Sequence, residues 1–382
     1  MPRITEKENG KYKAFVEMGK DPSTGRRKRK AKTFNRKRDA QVWIAQKIAE
    51  RDQGIVVDPG GYTVKEYLLY WLENYAESQL AGTTYDGYTM IVNTHIIPAL
   101  GAIKLDQLHP MHIQTYLNKK RVKGRKDGQP GGLSEKTLLQ HYRILSKSLN
   151  QAVKWQRIKY NPIRAVDAPK PEKKNKIVAM TKVQVKKLLN TVENDPWMYS
   201  FIFVALRTGM RRSELLGLRW EDVDLENKTI RVRQVLVTKM GTGTMIKGTK
   251  NLSSTRSISI TDAVINVLKK HKKRQTEIRL FLQSEYNSLD LVFCKENGTI
   301  YNPSTVNKRY RKARKKAGLS DMYTIHVLRH TFATMMLKAD VNPKIVQEML
   351  GHSVISTTLD TYSHVTPNMQ KEAAEKLDSV LS

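Results

Sequence analysis

Acidic residues are scarce in this chain. Its 382 residues carry 36 Asp and Glu against 68 Lys and Arg, a formal net charge of +32. A surface so unbalanced repels itself unless a polyanion neutralises it, and for a protein of aqueous character that polyanion is nucleic acid. Cysteine is scarcer still. Cys294 stands alone, so no internal disulfide and no thiolate zinc site can form, which suits a reducing cytosol. Its neighbours Leu291, Val292 and Phe293 are apolar, and Cys294 reads as a buried strand thiol. Long apolar runs are missing too. The most apolar stretch, Met198 to Leu206, is too short to cross a bilayer and contains Ser200. The N-terminal Met1-Pro2-Arg3-Ile4-Thr5-Glu6-Lys7 has no apolar core of a secretory signal. These absences predict a soluble, cytoplasmic protein without a membrane partner.

What is present falls into three parts, as the length allows. Over the first 54 residues the chain carries a net charge of +9. Tyr12 to Met18 reads as a strand, Asp21-Pro22-Ser23-Thr24-Gly25 as a turn, and the basic run Arg26 to Lys32 as the returning partner. Ala40, Trp43, Ile44 and Ile48 recur at helical spacing, and Gly54 ends that helix. A basic strand pair on one helix can lie on phosphates or in a DNA groove. Beyond the Asp58-Pro59-Gly60-Gly61 linker the pattern is helical from Thr63 to about Ala168. Its stripes are Val64, Tyr67, Leu68, Trp71, Leu72 and Tyr75, then Tyr88, Ile91, Val92 and Ile96, then Ile113, Tyr116 and Leu117, and last Leu138, Tyr142, Leu145, Leu149, Val153 and Trp155. Aromatic stripes of this kind are core, and they predict a bundle of four to five helices with Lys147, Lys154, Arg157 and Lys159 on its polar side.

A charged linker, Lys170 to Lys176, precedes the third part. Helices are predicted over Thr181 to Val192 and Asp195 to Leu206, the second with Asp195 as N-cap and Pro196 as its first residue. From Lys228 to Ile260 β-branched residues alternate around Gly241-Thr242-Gly243, which predicts a small antiparallel sheet. Helices then return to the end. The fold class is therefore multidomain and mainly α with small β-sheets: a strand-hairpin-plus-helix unit, an all-α bundle, and an α+β C-terminal domain. The corresponding boundaries are 1–56, 62–168 and 176–382.

Four places in the third part carry residues suited to phosphate chemistry. In Thr208-Gly209-Met210-Arg211-Arg212-Ser213-Glu214, Gly209 can end a helix in a left-handed conformation and present Arg211 at a junction. Lys250 lies in a loop before Arg256-Ser257-Ile258-Ser259-Ile260, with Lys247 close by. In His326-Val327-Leu328-Arg329-His330-Thr331, Leu328, Phe332, Met335, Met336 and Ala339 form a buried stripe, and His326 and Arg329 share another face. Asn342 and Pro343 open a short helix that leads to Gly351-His352, and Asp360-Thr361-Tyr362-Ser363-His364 follows. Each of these residues alone has an ordinary reading as a surface arginine, a satisfied histidine or a packing tyrosine. The His326/His330 pair does not make a zincin motif, because Val327 occupies the place of the required Glu. No acidic cluster suggests a two-metal nuclease.

TGMRRSELLGLRW, a lysine in the β-loop, HVLRHTFAT and LGHSVISTTLDTYSHV, in that order, resemble the tyrosine recombinases of the phage-integrase family. The likeness is greatest to integrases of phages and conjugative elements of Gram-positive bacteria, and it covers essentially the whole chain. It implies an arm-site-binding domain, a core-binding domain and a catalytic domain. It implies a site-specific DNA recombinase acting through a 3′-phosphotyrosyl bond to Tyr362, with Arg211 and Arg329 on the scissile phosphate and Lys250, or Lys247, protonating the leaving 5′-oxygen. His326 would be a general acid/base, His352 a hydrogen-bond donor to the phosphate, and Glu214 the residue that orients Arg211. No metal, ATP or other cofactor is called for. Implied partners are double-stranded DNA with core and arm sites, a homotetramer on that DNA, and accessory DNA-bending or directionality proteins. The terminal stripe Met369, Ala373, Leu377, Val380 and Leu381 would dock on its own or a neighbouring subunit. Other readings are a chromosome-dimer resolvase, a type IB topoisomerase-like enzyme, or a noncatalytic DNA-binding regulator.

Overall fold

The computed structural model describes residues 3–20, 27–52, 61–172, 178–239, 243–248, 255–362 and 378. The chain forms two compact units, Met1–Lys173 and Lys174–Ser382. The Asp21 to Gly25 turn, the linker from Asp58 to Gly60, Lys250 and the terminal apolar stripe lie outside the described residues.

The first unit opens with three antiparallel strands, not the expected two: β1 (Arg3–Glu6), β2 (Tyr12–Lys20) and β3 (Arg27–Phe34). The added strand β1 pairs with β2 from Arg3↔Phe15 to Glu6↔Tyr12. It is short and polar, so it lacks the alternation that marks a strand in sequence. On β2, Ala14 and Val16 are fully buried, and α1 (Lys37–Asp52) covers that face with Ala40, while Trp43 meets Phe34 at 5.8 Å.

The helical part follows. In α2 (Val64–Trp71), Thr63 and Glu66 cap each other's backbone, and the helix runs on through a π turn, Leu72–Ala76, to Gln79. A second π turn, Val92–Ile96, continues α3 (Gly82–Ile91) to Leu100. With α4 (Pro110–Val122) and α5 (Glu135–Lys154), these helices bury the predicted stripes around Trp71, Ile96, Ile113, Leu117 and Leu138. Two buried tyrosines are satisfied inside the bundle: Tyr67 donates to Ser148 O at 2.6 Å, and Tyr116 OH pairs with His141 Nδ1 at 2.7 Å.

The second unit is organised around one buried helix. After α6 (Lys182–Thr191) comes α7 (Pro196–Thr208), with Asp195 Oδ1 accepting from Met198 N at 3.1 Å and Pro196 at its start. Both caps match the sequence reading. Phe201 to Leu206 are all buried, so the second half of α7 runs through the core, while Pro196 is exposed and Tyr199 and Arg207 are half-buried. Gly209 ends it at φ 62°, and α8 (Arg212–Leu216) starts at once, with Arg211 as N-cap.

The β region departs from expectation. β4 (Val223–Asp224), β5 (Thr229–Val232) and β8 (Arg256–Ser259) form one antiparallel sheet, whereas β6 (Gln234–Lys239) and β7 (Gly243–Gly248) form another. The chain changes partner at Arg233: Ile230 pairs with Ile258, but Leu236 pairs with Ile246. Cys294 is buried as expected, although not in a strand. Leu291 makes only an isolated bridge, because side chains take the nearby carbonyls: Gln275 that of Leu291, His271 that of Val292, and Trp197 that of Cys294. α9 (Asp262–Leu282) and α10 (Pro303–Lys316) then lead to α11 (Val327–Lys338), α12 (Pro343–Leu350) and α13 (Ile355–Tyr362). α9 and α11 both pack on α7.

A Cβ added at Gly209 would lie 2.4 Å from Phe332 on α11. Gly209→Ala should therefore combine left-handed strain with overpacking and lower stability by about 2 kcal/mol or more. Urea denaturation checks this; a midpoint equal to that of the parent would show that the turn tolerates a side chain.

Candidate active site

Arg211, His352 and the pair His326 and Arg329 come from three separate stretches, and the second unit brings them together. Arg211 reaches its place because Gly209 turns the chain off α7 and the N-cap backbone of Arg211 is held by Glu214, whose Oε2 accepts from Arg211 N at 2.7 Å. Glu214 Oε1 accepts from Arg211 Nη1 at 2.7 Å, and Gly351 O accepts from Nη2 at 3.3 Å. About a third of the Arg211 side chain remains exposed, whereas Glu214 is buried. Glu214 thus holds both the backbone and the guanidinium of Arg211.

Arg329 projects from the first turn of α11 and is buried; its Nη1 donates to Gly209 O at 2.8 Å. The same glycine that releases Arg211 from α7 therefore anchors Arg329. His326 is the N-cap residue of α11, and its ring meets that of His330 edge-on at 4.8 Å. His352 follows Gly351, which ends α12 at φ 66°. Its backbone is clamped by Gln347, and its Nδ1 pairs with Thr358 Oγ1 on α13 at 2.8 Å. With Nδ1 engaged, Nε2 is the nitrogen left to act on a ligand. α13 ends at Tyr362.

Charge and burial set the protonation of this cluster. Burial, then the charges of Arg329, Arg211 and Arg212, push His326 below the ordinary histidine range. His330 is held at about 4 by burial and by His326 and Arg329. His352 is likewise at about 4, through burial and the guanidiniums of Arg329, Arg211 and Arg256. Burial alone would raise the Glu214 carboxyl, but Arg256, and after it Arg211, hold it below the ordinary carboxylate range. At neutral pH the cluster is therefore cationic through its arginines, with neutral imidazoles among them. Such a site favours an oxyanion that accepts planar pairs of donors.

Not every sequence-predicted residue can be placed. Lys250 lies outside the described residues, whereas Lys247 is exposed on β7. Conversely, sequence reasoning missed Arg256, which is buried against Glu214 at 2.9 Å. A signal was present: Arg256, Ile258 and Ile260 share one parity of a strand whose other members point to solvent. A cation on the buried parity calls for a buried anion. Among the described residues, no group of three His, Cys, Asp or Glu is arranged to hold a metal, and no helix is long and apolar enough to cross a membrane.

The profile of the phage integrase family matches residues 179–369, and that of the phage integrase N-terminal SAM-like domain matches residues 63–121. The chain belongs to the phage integrase family. Its relatives include a XerC-like tyrosine recombinase of Caldanaerobacter subterraneus subsp. tengcongensis, 30% identical with 97% of each chain covered. They also include the ICEBs1 integrase of Bacillus subtilis, 26% identical over 99% of this chain and 100% of that one. Among solved structures, the Tn1549 transposon integrase in complex with circular intermediate DNA superposes with a TM-score of 0.66 at 25% identity, covering 82% of this chain and 99% of that chain. The integrase is thus a site-specific tyrosine recombinase, an enzyme that cuts and rejoins DNA in the integration of a mobile element.

The histidine environments make the stability of this integrase depend on pH. His330 and His352 titrate near 4 when folded and near 6.5 when unfolded, so between those values the unfolded chain binds more protons. Stability is then full above about pH 6.5 and falls as the pH drops toward 4. Urea midpoints measured at about pH 5 and pH 7.5 should show the loss, and His330→Gln/His352→Gln should shrink it. Equal midpoints in the parent protein would contradict the neutral assignment.

Proposed function

We propose that Tyr362 is the nucleophile of this integrase. Its hydroxyl oxygen attacks the scissile phosphorus, the bond from phosphorus to the 5′-oxygen breaks, and a 3′-phosphotyrosyl link forms. Lys250 delivers a proton to the departing 5′-oxygen, while His326 serves as general acid/base near Tyr362. Arg211 and Arg329 take the nonbridging oxygens, and His352 hydrogen-bonds the phosphate through Nε2. The energy of the broken phosphodiester stays in the phosphotyrosine. Attack by a different 5′-hydroxyl then completes strand exchange without ATP.

The observation that carries this reading is the convergence of two arginines and two neutral histidines at the junction of α7, α8, α11 and α12, with α13 tied to it by the His352–Thr358 bond. Around that centre we assign residues 1–56 to arm-type DNA binding, 62–168 to core binding and 176–382 to catalysis. The basic N-terminal strands favour an integrase over a resolvase or topoisomerase. We further assign action as a homotetramer on double-stranded DNA in the cytoplasm, with accessory bending or directionality proteins as partners.

Tyr362→Phe should abolish covalent trapping on a nicked core site while leaving specific binding nearly intact; an adduct formed by the Phe variant would transfer the nucleophile elsewhere. In the same assay Arg211→Ala and Arg329→Ala should each slow cleavage by roughly 10²–10³-fold, the scale for removing one oxyanion donor.

Lys250 and Lys247 separate by leaving-group rescue. Lys250→Ala should recover cleavage on a 5′-bridging phosphorothiolate, whose sulfur leaves without a proton, and Lys247→Ala should need no rescue. The reverse pattern would give the role to Lys247.

A further inference from the structure

Arg256 belongs to none of the residues assigned above, yet it is a hub of contacts beneath them. Its side chain is 7% exposed. Nη1 and Nη2 donate to the two oxygens of Glu214 at 3.2 and 2.9 Å, and Nε donates to Met349 O at 2.6 Å. That single guanidinium thus joins β8, α8 and the last turn of α12. Met349 O would otherwise be an unsatisfied carbonyl at a helix end. The guanidinium also lies against Gly351, where a Cβ would come within 3.0 Å of Nη1.

We propose that Arg256 is a positioning residue for strand cleavage, acting by occupying Glu214 so that Arg211 keeps donors for the phosphate. The inference rests on the proposed roles of Arg211 and His352. Glu214 is an ionised carboxylate with 1% of its side chain exposed, so it must be matched by cations. With Arg256 present, Arg211 engages it through Nη1 and the backbone N–H, and Nη2 reaches only the weaker 3.3 Å contact at Gly351 O. Without Arg256, one cation faces a buried anion, and the paired-donor geometry of Arg211 turns inward to it. The same loss frees Met349 O and so loosens the turn that delivers His352. Two phosphate-facing groups then move together, and a displacement of about 1 Å at a reacting centre costs on the order of 10²-fold in rate.

Single-turnover cleavage of a nicked core site and equilibrium binding to the uncut site test this, with the wild type and Tyr362→Phe as controls for the active-site reading itself. Arg256→Met should slow cleavage by about 10²-fold, leave the Kd for the site within about threefold, and regain rate as the pH is lowered, because the uncompensated Glu214 then protonates. Glu214→Gln in the Arg256→Met background should cleave faster than Arg256→Met alone, since no anion remains to draw Arg211 inward. A residue with only a structural role would give a double variant no better than the single one, and that result overturns the proposal, as would unchanged cleavage by Arg256→Met. If Arg256→Met does not fold, Arg256→Lys carries the test: a single ammonium nitrogen lacks the planar fork that spans both oxygens of Glu214 and the separate Nε–H that reaches Met349 O, so slower cleavage at unchanged affinity supports the proposal and the wild-type rate refutes it.

Discussion

The buried carboxylate of Glu214 is the interaction on which the active-site unit depends. A carboxylate removed from water needs cations and donors in good geometry or it destabilises the fold. Here it receives the N-cap amide and guanidinium of Arg211 from one side and the fork of Arg256 from the other. That arrangement fixes the start of α8, the first residue of β8 and, through Met349 O and Gly351 O, the end of α12. Elements far apart in sequence are held to one anion, so the cluster is organised before DNA arrives. Such preorganisation is what electrostatic catalysis requires, because donors already in place need not reorganise as charge develops.

Burying the arginines' partners also shapes the histidines. Surrounded by guanidiniums and partly removed from water, His326, His330 and His352 all shift toward neutrality. A neutral His326 can accept a proton, as a general base must, and a neutral His352 can still donate through Nε2. Arrival of a phosphodiester monoanion would offset the cationic neighbours and oppose the part of both shifts that the arginines cause. Protonation in this site is therefore coupled to occupancy.

Much of this was legible in the sequence because it is local. Asp195 with Pro196, Asn342 with Pro343, and Gly209 are cap signals written within a few residues, and each appears where expected. The bundle stripes follow from helical periodicity and are buried as predicted. The candidate site residues came from motifs whose order and spacing match a family. What escaped depends on partners distant in the chain. β1 is too polar to announce itself, and the switch of partner at Arg233 is decided by which strand lies alongside. Arg256 was readable only by its parity with Ile258 and Ile260, a signal that needs the strand to be known first.

The acceptors that hold the three arginines include main-chain oxygens: Gly209 O for Arg329, Gly351 O for Arg211 and Met349 O for Arg256. A carbonyl belongs to the backbone and survives any side-chain replacement at its own position. At Met349 the anchor therefore asks nothing of the side chain, which packs separately against the core. At the two glycines the demand falls on backbone shape, not on a functional group. The grip on these arginines therefore rests in part on the course of the main chain and not on side-chain identity alone.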